Sequence, residues 1–128
     1  MDDQARHNHM QNQIAAQTAL MSGNRTPLAG GVKNDQGKPD FTHLSYEFLE
    51  EIARVRDFGA KKYSKNNWKR GFKVTRSLAA CLRHIFAFLG GQTNDPESGL
   101  SHLGHAGCCL EHAIYDMKVH PENDDRGA

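Results

Sequence analysis

The stretch GLSHLGHAGCCLEHAIYD, residues 99–116, decides how this chain is read. Advanced by about 100° per residue, it places Leu103, Ala106, Leu110, Ala113, Ile114 and Met117 on one helical face. His102, His105, Cys109, His112 and Asp116 gather on a second stripe beside it. The spacing therefore predicts a helix with an apolar face turned to the core and polar groups flanking it, where a cleft shared with another helix would lie. His102 and His105, at i and i+3, can reach one point above the helix.

Two further helices follow from the same periodicity. Ser45 is placed to cap YEFLEEIARVRDFGAKKY, residues 46–63, with Phe48, Leu49, Ile52, Val55 and Gly59 on its apolar face. Thr75 is placed to cap RSLAACLRHIFAFL, residues 76–89, whose expected core face is Leu78, Leu82, Ile85 and Leu89, widened by Phe86 and Phe88. Gly90 and Gly91 stop it. No segment alternates with period two and no solenoid repeat is present. The expectation is an all-α fold: three core helices with long loops, assembled with further copies into an oligomeric helical bundle because one copy has a thin core.

The flanks read differently. Residues 1–30 are rich in Asn, Gln, His and small residues, and are expected to form a flexible arm with at most a short helix. Residues 31–120 are the helical domain, and 121–128 a disordered tail. With 16 Lys+Arg against 15 Asp+Glu among 128 residues, the chain offers no electrostatic footprint for stable nucleic-acid binding. It also lacks an apolar run of the roughly 20 residues that span a bilayer. Three cysteines, two of them adjacent, make a poor disulfide framework. A cytoplasmic setting is expected.

Several groups carry chemistry. Asp95 and Glu97, in NDPESG, stand where a turn can swing a carboxylate toward His102 and His105, and imidazoles with carboxylates are ordinary ligands for divalent metals. Cys109 offers a zinc alternative, but a cysteine beside an apolar stripe is more often a small core residue. Glu47, Glu50 and Glu51 cluster within one turn, where carboxylates hold Mg²⁺ or simply favour a helix start; Glu51, at the edge of the core face, is the one expected to function. Lys61, Lys62, Lys65, Lys69, Arg70, Lys73 and Arg76 crowd the NNW segment, either as a solubilising loop or as a phosphate-binding wall with Trp68 packed near a base.

Taken in order, GKPDFTHLS, EEIARVRDFGAKKYSKNNW, SLAACLRHIFAFLGG and DPESGLSHLGHAGCCL resemble the phage-type dATP/dGTP diphosphohydrolase family, related to the all-α MazG-like nucleotide pyrophosphohydrolases. The resemblance implies hydrolysis of deoxynucleoside triphosphates to monophosphate and pyrophosphate, with a divalent metal, Mg²⁺ or Mn²⁺ before Zn²⁺. It also implies nucleotide-pool remodelling in an infected bacterial cytoplasm. Matched motif by motif, the implied site comprises Glu51, Lys61, Tyr63, Asn67, Trp68, Arg83, His84, Asp95, Glu97, His102 and His105. In this assignment Glu51, His84 and Glu97 serve catalysis. Lys61, Lys62, Tyr63, Asn67, Trp68 and Arg83 bind substrate, and Glu47, Glu51, Asp95, Glu97, His102 and His105 hold metal. The chain departs from the MazG-like pattern at HLGH, with histidines where a later ExxD pair would sit, which shifts preference toward softer ions. The alternatives are a protein on the same scaffold that sequesters nucleotide without cleaving it, and a structural zinc domain. A homodimer or homotetramer is expected.

Overall fold

The computed structural model describes residues 2–21 and 30–127, and of residues 15–21 the backbone alone. Residues 22–29, including most of the SGNRTPLAGG segment that ends the expected arm, lie outside the described residues. The chain divides into two compact units, residues 1–39 and 40–128.

In the first unit, helix α1 spans Asp3–Met21. This is longer than the short helix expected within an arm. Ala, Gln, Met and Leu are good helix formers, and Gln4–Asn8 and Gln13–His9 bond along its surface at 3.1 and 3.2 Å. Met10 and Ile14 remain half exposed.

The second unit holds the three expected helices, α2 (Tyr46–Lys62), α3 (Val74–Leu89) and α4 (His102–Val119). The described residues form no strand, only an isolated antiparallel bridge between Asn94 and Ser101. Ser45 caps α2, its Oγ accepting from Phe48 N–H at 3.2 Å. Thr75 does not cap α3. The helix begins at Val74, two residues before the expected start, and the carboxylate of Asp125 instead accepts from Thr75 N–H (3.0 Å) and Oγ–H (2.6 Å). A residue read as part of a disordered tail thus satisfies donors at a helix N-terminus, and Pro121–Asn123 form a 3-10 turn.

Helix α4 is the centre of the packing, with α3 against one side and α2 against another. Its buried face keeps Ala106 and Ala113 of the expected core stripe but is turned toward the histidine stripe. His102, Ala106, Cys109, Ala113 and Asp116 are buried, while Leu103, Leu110, Ile114 and Met117 are exposed. The small residues explain this. Cys81 of α3 forms the core with Ala106 and Cys109. On the other side a Cβ on Gly104 would lie 3.2 Å from Glu51 Cβ, and one on Gly107 3.1 Å from the Phe48 ring. Close backbone approach outweighs the greater hydrophobicity of the leucine stripe. On α3, likewise, Val74, Ser77 and Cys81 are buried and Leu82, Phe86 and Leu89 exposed.

Candidate active site

A cleft of about 740 Å³ opens between the C-terminal half of α2, the 63–72 loop, the Asp95 turn and the inner face of α4. At one end the α3–α4 seam brings three histidines together. His84 Nδ1 lies 2.8 Å from His102 Nδ1, and the His84 ring stacks on His105 with centroids 4.6 Å apart. Asp95 Oδ2 is 3.9 Å from His84 Nδ1. One ligand atom each from His84, Asp95 and His102 fall within 4.8 Å of one another. Two imidazoles and a carboxylate form a donor set that suits a divalent first-row cation.

Local structure holds each group. Asp95 Oδ1 accepts from the N–H groups of Glu97 (2.8 Å) and Ser98 (3.2 Å), closing a turn that Gly99 completes with φ +72°. Burial opposes its charge, yet those amides hold Asp95 below the usual carboxylate range. Gln92 Oε1 accepts from His102 Nε2 at 2.7 Å. The His102 proton therefore sits on Nε2, leaving Nδ1 as the lone-pair atom that receives the His84 N–H. Ser98 Oγ lies 2.7 Å from His105 Nε2. Burial, followed by mutual repulsion among the imidazoles, pushes His84 below the ordinary histidine value, and burial does the same to His105. Both shifts favour the neutral ring, the form that ligands and proton acceptors need.

At the other end, Arg56 lies across Trp68, its guanidinium carbon 3.8 Å from the ring centroid. Its Nε–H donates to Glu111 Oε1 at 3.0 Å and an Nη–H to His112 Nε2 at 2.6 Å. Because arginine only donates, His112 Nε2 is an acceptor and the ring is neutral. Burial and the neighbouring Arg56 press its pKa down to about 4. His112 also stacks against Trp68 and Phe72. Trp68 sits in a 3-10 turn, Asn67–Arg70, entered through Asn66 at φ 64°, a left-handed conformation that asparagine tolerates.

Of the residues expected from sequence, Lys62, Tyr63, Asn67, Trp68, His84, Asp95, Glu97 and His105 line this one cleft. His102 joins it through His84. Lys62 ion-pairs with Glu97, tying the last turn of α2 to the Asp95 turn. Lys61 and Arg83 are exposed and outside the lining. Glu47 is exposed and accepts from Ser45 Oγ–H, Glu51 packs on Gly104, which lies between His102 and His105 along α4, and neither glutamate is among the residues that line the cleft. Cys109 lies in the α3–α4 core, where burial pushes its thiol up to about 11. Sequence reasoning missed Arg56, Glu111 and Phe72. Arg56 sits on α2 at one turn from Ile52, a spacing that could have placed it beside the apolar face.

The family model for the N-terminal region of dATP/dGTP diphosphohydrolase matches residues 29–126. The chain belongs to this family. A curated protein of Salmonella phage PMBT28, named dATP/dGTP diphosphohydrolase, is 38% identical over 96 residues, 75% of this chain. The match covers 33% of that relative, so the chain spans about a third of its length. No solved structure matches the chain. Within the family frame, the expected helical fold is the one observed, and the cleft gathers the FGAKKY, NNW, RH, DPESG and HLGHA motifs into one place. No helix among the described residues is long and apolar enough to cross a membrane.

Proposed function

We propose that this chain is a metal-dependent nucleotide hydrolase domain that cleaves purine deoxynucleoside triphosphates to monophosphate and pyrophosphate. The observation that carries the reading is the convergence of His84, Asp95 and His102 at one end of a nucleotide-sized cleft whose other end is walled by Trp68. The relative's name, dATP/dGTP diphosphohydrolase, supports the reaction and the purine preference.

His84, Asp95 and His102 are the residues that would hold the cation, with His105 and Glu97 beside them. When bound, a divalent ion supplies charge to the phosphoryl oxygens and acidity to a water molecule. Two nitrogens and one oxygen favour Mn²⁺ over Mg²⁺, which prefers oxygen ligands. Lys62, facing the same space, neutralises charge on the phosphates and on the departing pyrophosphate. Glu97, beside the cluster, accepts the proton of the attacking water, because a His84 ring that gives one nitrogen to the cation keeps its proton on the other. At the far end, Trp68 and Asn67 form the wall against which the base docks. The exposed stripe of Leu103, Leu110, Ile114 and Met117 on α4 supports assembly into a homodimer or homotetramer. A role in remodelling the nucleotide pool of an infected cell follows from the activity and from the phage origin of the relative.

The test is product identification. Each deoxynucleoside triphosphate is incubated with the protein and Mn²⁺ or Mg²⁺, and nucleotide and phosphate products are separated. Monophosphate and pyrophosphate in equal amounts, from dATP and dGTP first, are expected. Inorganic phosphate alone, or tripolyphosphate, would assign a different reaction.

A further inference from the structure

The cleft's tryptophan wall is a loop, residues 63–73, and its backbone is held from behind by groups with no part in the chemistry above. Asp116, whose side chain has no exposed surface, reaches from α4 to accept from Phe72 N–H at 3.1 Å. Its other oxygen faces Asn123 Nδ2 at 3.4 Å. His120, one residue beyond α4, donates from Nε2 to Lys69 C=O at 2.9 Å. Asp125 holds Thr75, in the first turn of α3 just past the loop. Gly71 lies between, at φ +100°, and a Cβ there would fall 2.7 Å from Asn123 Nδ2 and 3.0 Å from Asp116 Oδ1. The loop has no room to shift toward α4 and is bonded against moving away.

We infer that Asp116 and Asn123 are positioning residues that set the height of Trp68 and Phe72 in the cleft, and with it nucleotide affinity. A buried carboxylate whose bonds go to a loop amide and a side-chain amide stabilises that loop conformation more than it stabilises α4 itself. Each of its bonds crosses from α4 to the segments before α3 or after α4. Trp68 touches His112 and Tyr115, which lie one turn and one residue before Asp116 on the same helix. The carboxylate and the ring contacts therefore fix the same loop from the same rail. The consequence for binding rests on the nucleotide reading above, whereas the positioning of Trp68 does not.

Trp68 is the sole tryptophan, so its fluorescence reports the wall directly. In the full chain, Asn123→Ala and Asp116→Ala are expected to red-shift Trp68 emission and raise its quenching by acrylamide about twofold, as local opening exposes the ring. They should raise KM for dGTP about tenfold while kcat stays within about threefold, the pattern of lost ground-state binding. Asp116→Asn should recover most of the wild-type signal, since an amide oxygen still accepts from Phe72 N–H. Should Asp116→Ala not fold, Asn123→Ala decides alone. Unchanged emission and KM with only a lower melting temperature would overturn the inference, as would a fall in kcat at constant KM. A chain that cleaves no nucleotide but shows the emission changes would keep the positioning role and sink the hydrolase reading. One that cleaves dGTP with emission unmoved would do the reverse.

Discussion

His84 on α3 and His102 on α4 meet Nδ1 to Nδ1 at 2.8 Å, and Gln92 fixes which of the two carries the proton between them. This is a hydrogen bond that a cation would replace, because both nitrogens face the point that Asp95 also reaches. If His102 holds the proposed cation, Gln92 is the partner that sets its tautomer. Such partners typically contribute about 10–100-fold to metal affinity. Gln92→Ala is expected to weaken Mn²⁺ binding about tenfold, measured by calorimetric titration, with little loss of helicity. Unaltered Mn²⁺ affinity would remove His102 Nδ1 from the ligand set.

The two carboxylate groups proposed from sequence can be separated. Asp95 stands at the histidines, whereas Glu51 packs on Gly104 of α4. Asp95→Asn is therefore expected to reduce Mn²⁺ affinity at least about tenfold, and Glu51→Gln to leave it within about threefold. The opposite ranking in the same titration would return the metal to α2.

Acid should loosen the Trp68 end of the cleft. His112 has its pKa pressed from 6.5 to about 4 by burial and by Arg56. Since the folded value is the lower one, unfolding takes up a proton between these limits. Stability is then complete above about pH 6.5 and is lost as pH falls toward 4, by about 2 kcal/mol after allowance for residual solvent contact. His84 and His105 shift in the same direction. Melting temperatures recorded from pH 7 to 4.5 should fall more steeply for the wild type than for His112→Gln. Parallel slopes would mean that His112 is not held neutral by the fold.

How much of this was legible beforehand is clearest on α4. Periodicity correctly drew two stripes and placed the histidines, Cys109 and Asp116 on one of them. It assigned the interior to the stripe of Leu103, Ala106, Leu110, Ala113, Ile114 and Met117, of which only the two alanines are buried. The buried face turns away from the larger residues because Gly104, Ala106, Gly107 and Ala113 let α2 and α3 approach closely, and that is a property of pairs of helices which one helix's sequence does not contain. The Ser45 cap was legible because it is local. The Asp125 cap on Thr75 was not, since its partners are 50 residues apart. For the same reason the motif residues were found but Arg56, whose role depends on Glu111 and His112, was missed.

The glycines test that packing. A methyl group on Gly104 would press on Glu51 backbone oxygen at 3.3 Å, which cannot move aside, so Gly104→Ala is expected to destabilise by about 1–2 kcal/mol despite its better helix propensity. At Gly107 the neighbours are the side chains of Phe48 and Ile52, and Phe48 is half exposed. Gly107→Ala should therefore change stability by less than about 1 kcal/mol. Urea denaturation of both variants would show it, and equal effects would contradict the α2–α4 contact described.

On the proposed function, the imidazole–carboxylate cluster at the α3–α4 seam drives pyrophosphate release from a purine deoxynucleoside triphosphate. The most direct measurement is Mn²⁺-dependent pyrophosphate release from dGTP by the wild type, beside Asp95→Asn and His102→Gln, with folding of each checked by circular dichroism. Stoichiometric dGMP and pyrophosphate are expected from the wild type, with a loss of at least about 100-fold in both folded variants. Wild-type rates in either variant, or consumption of dGTP without pyrophosphate, would contradict it.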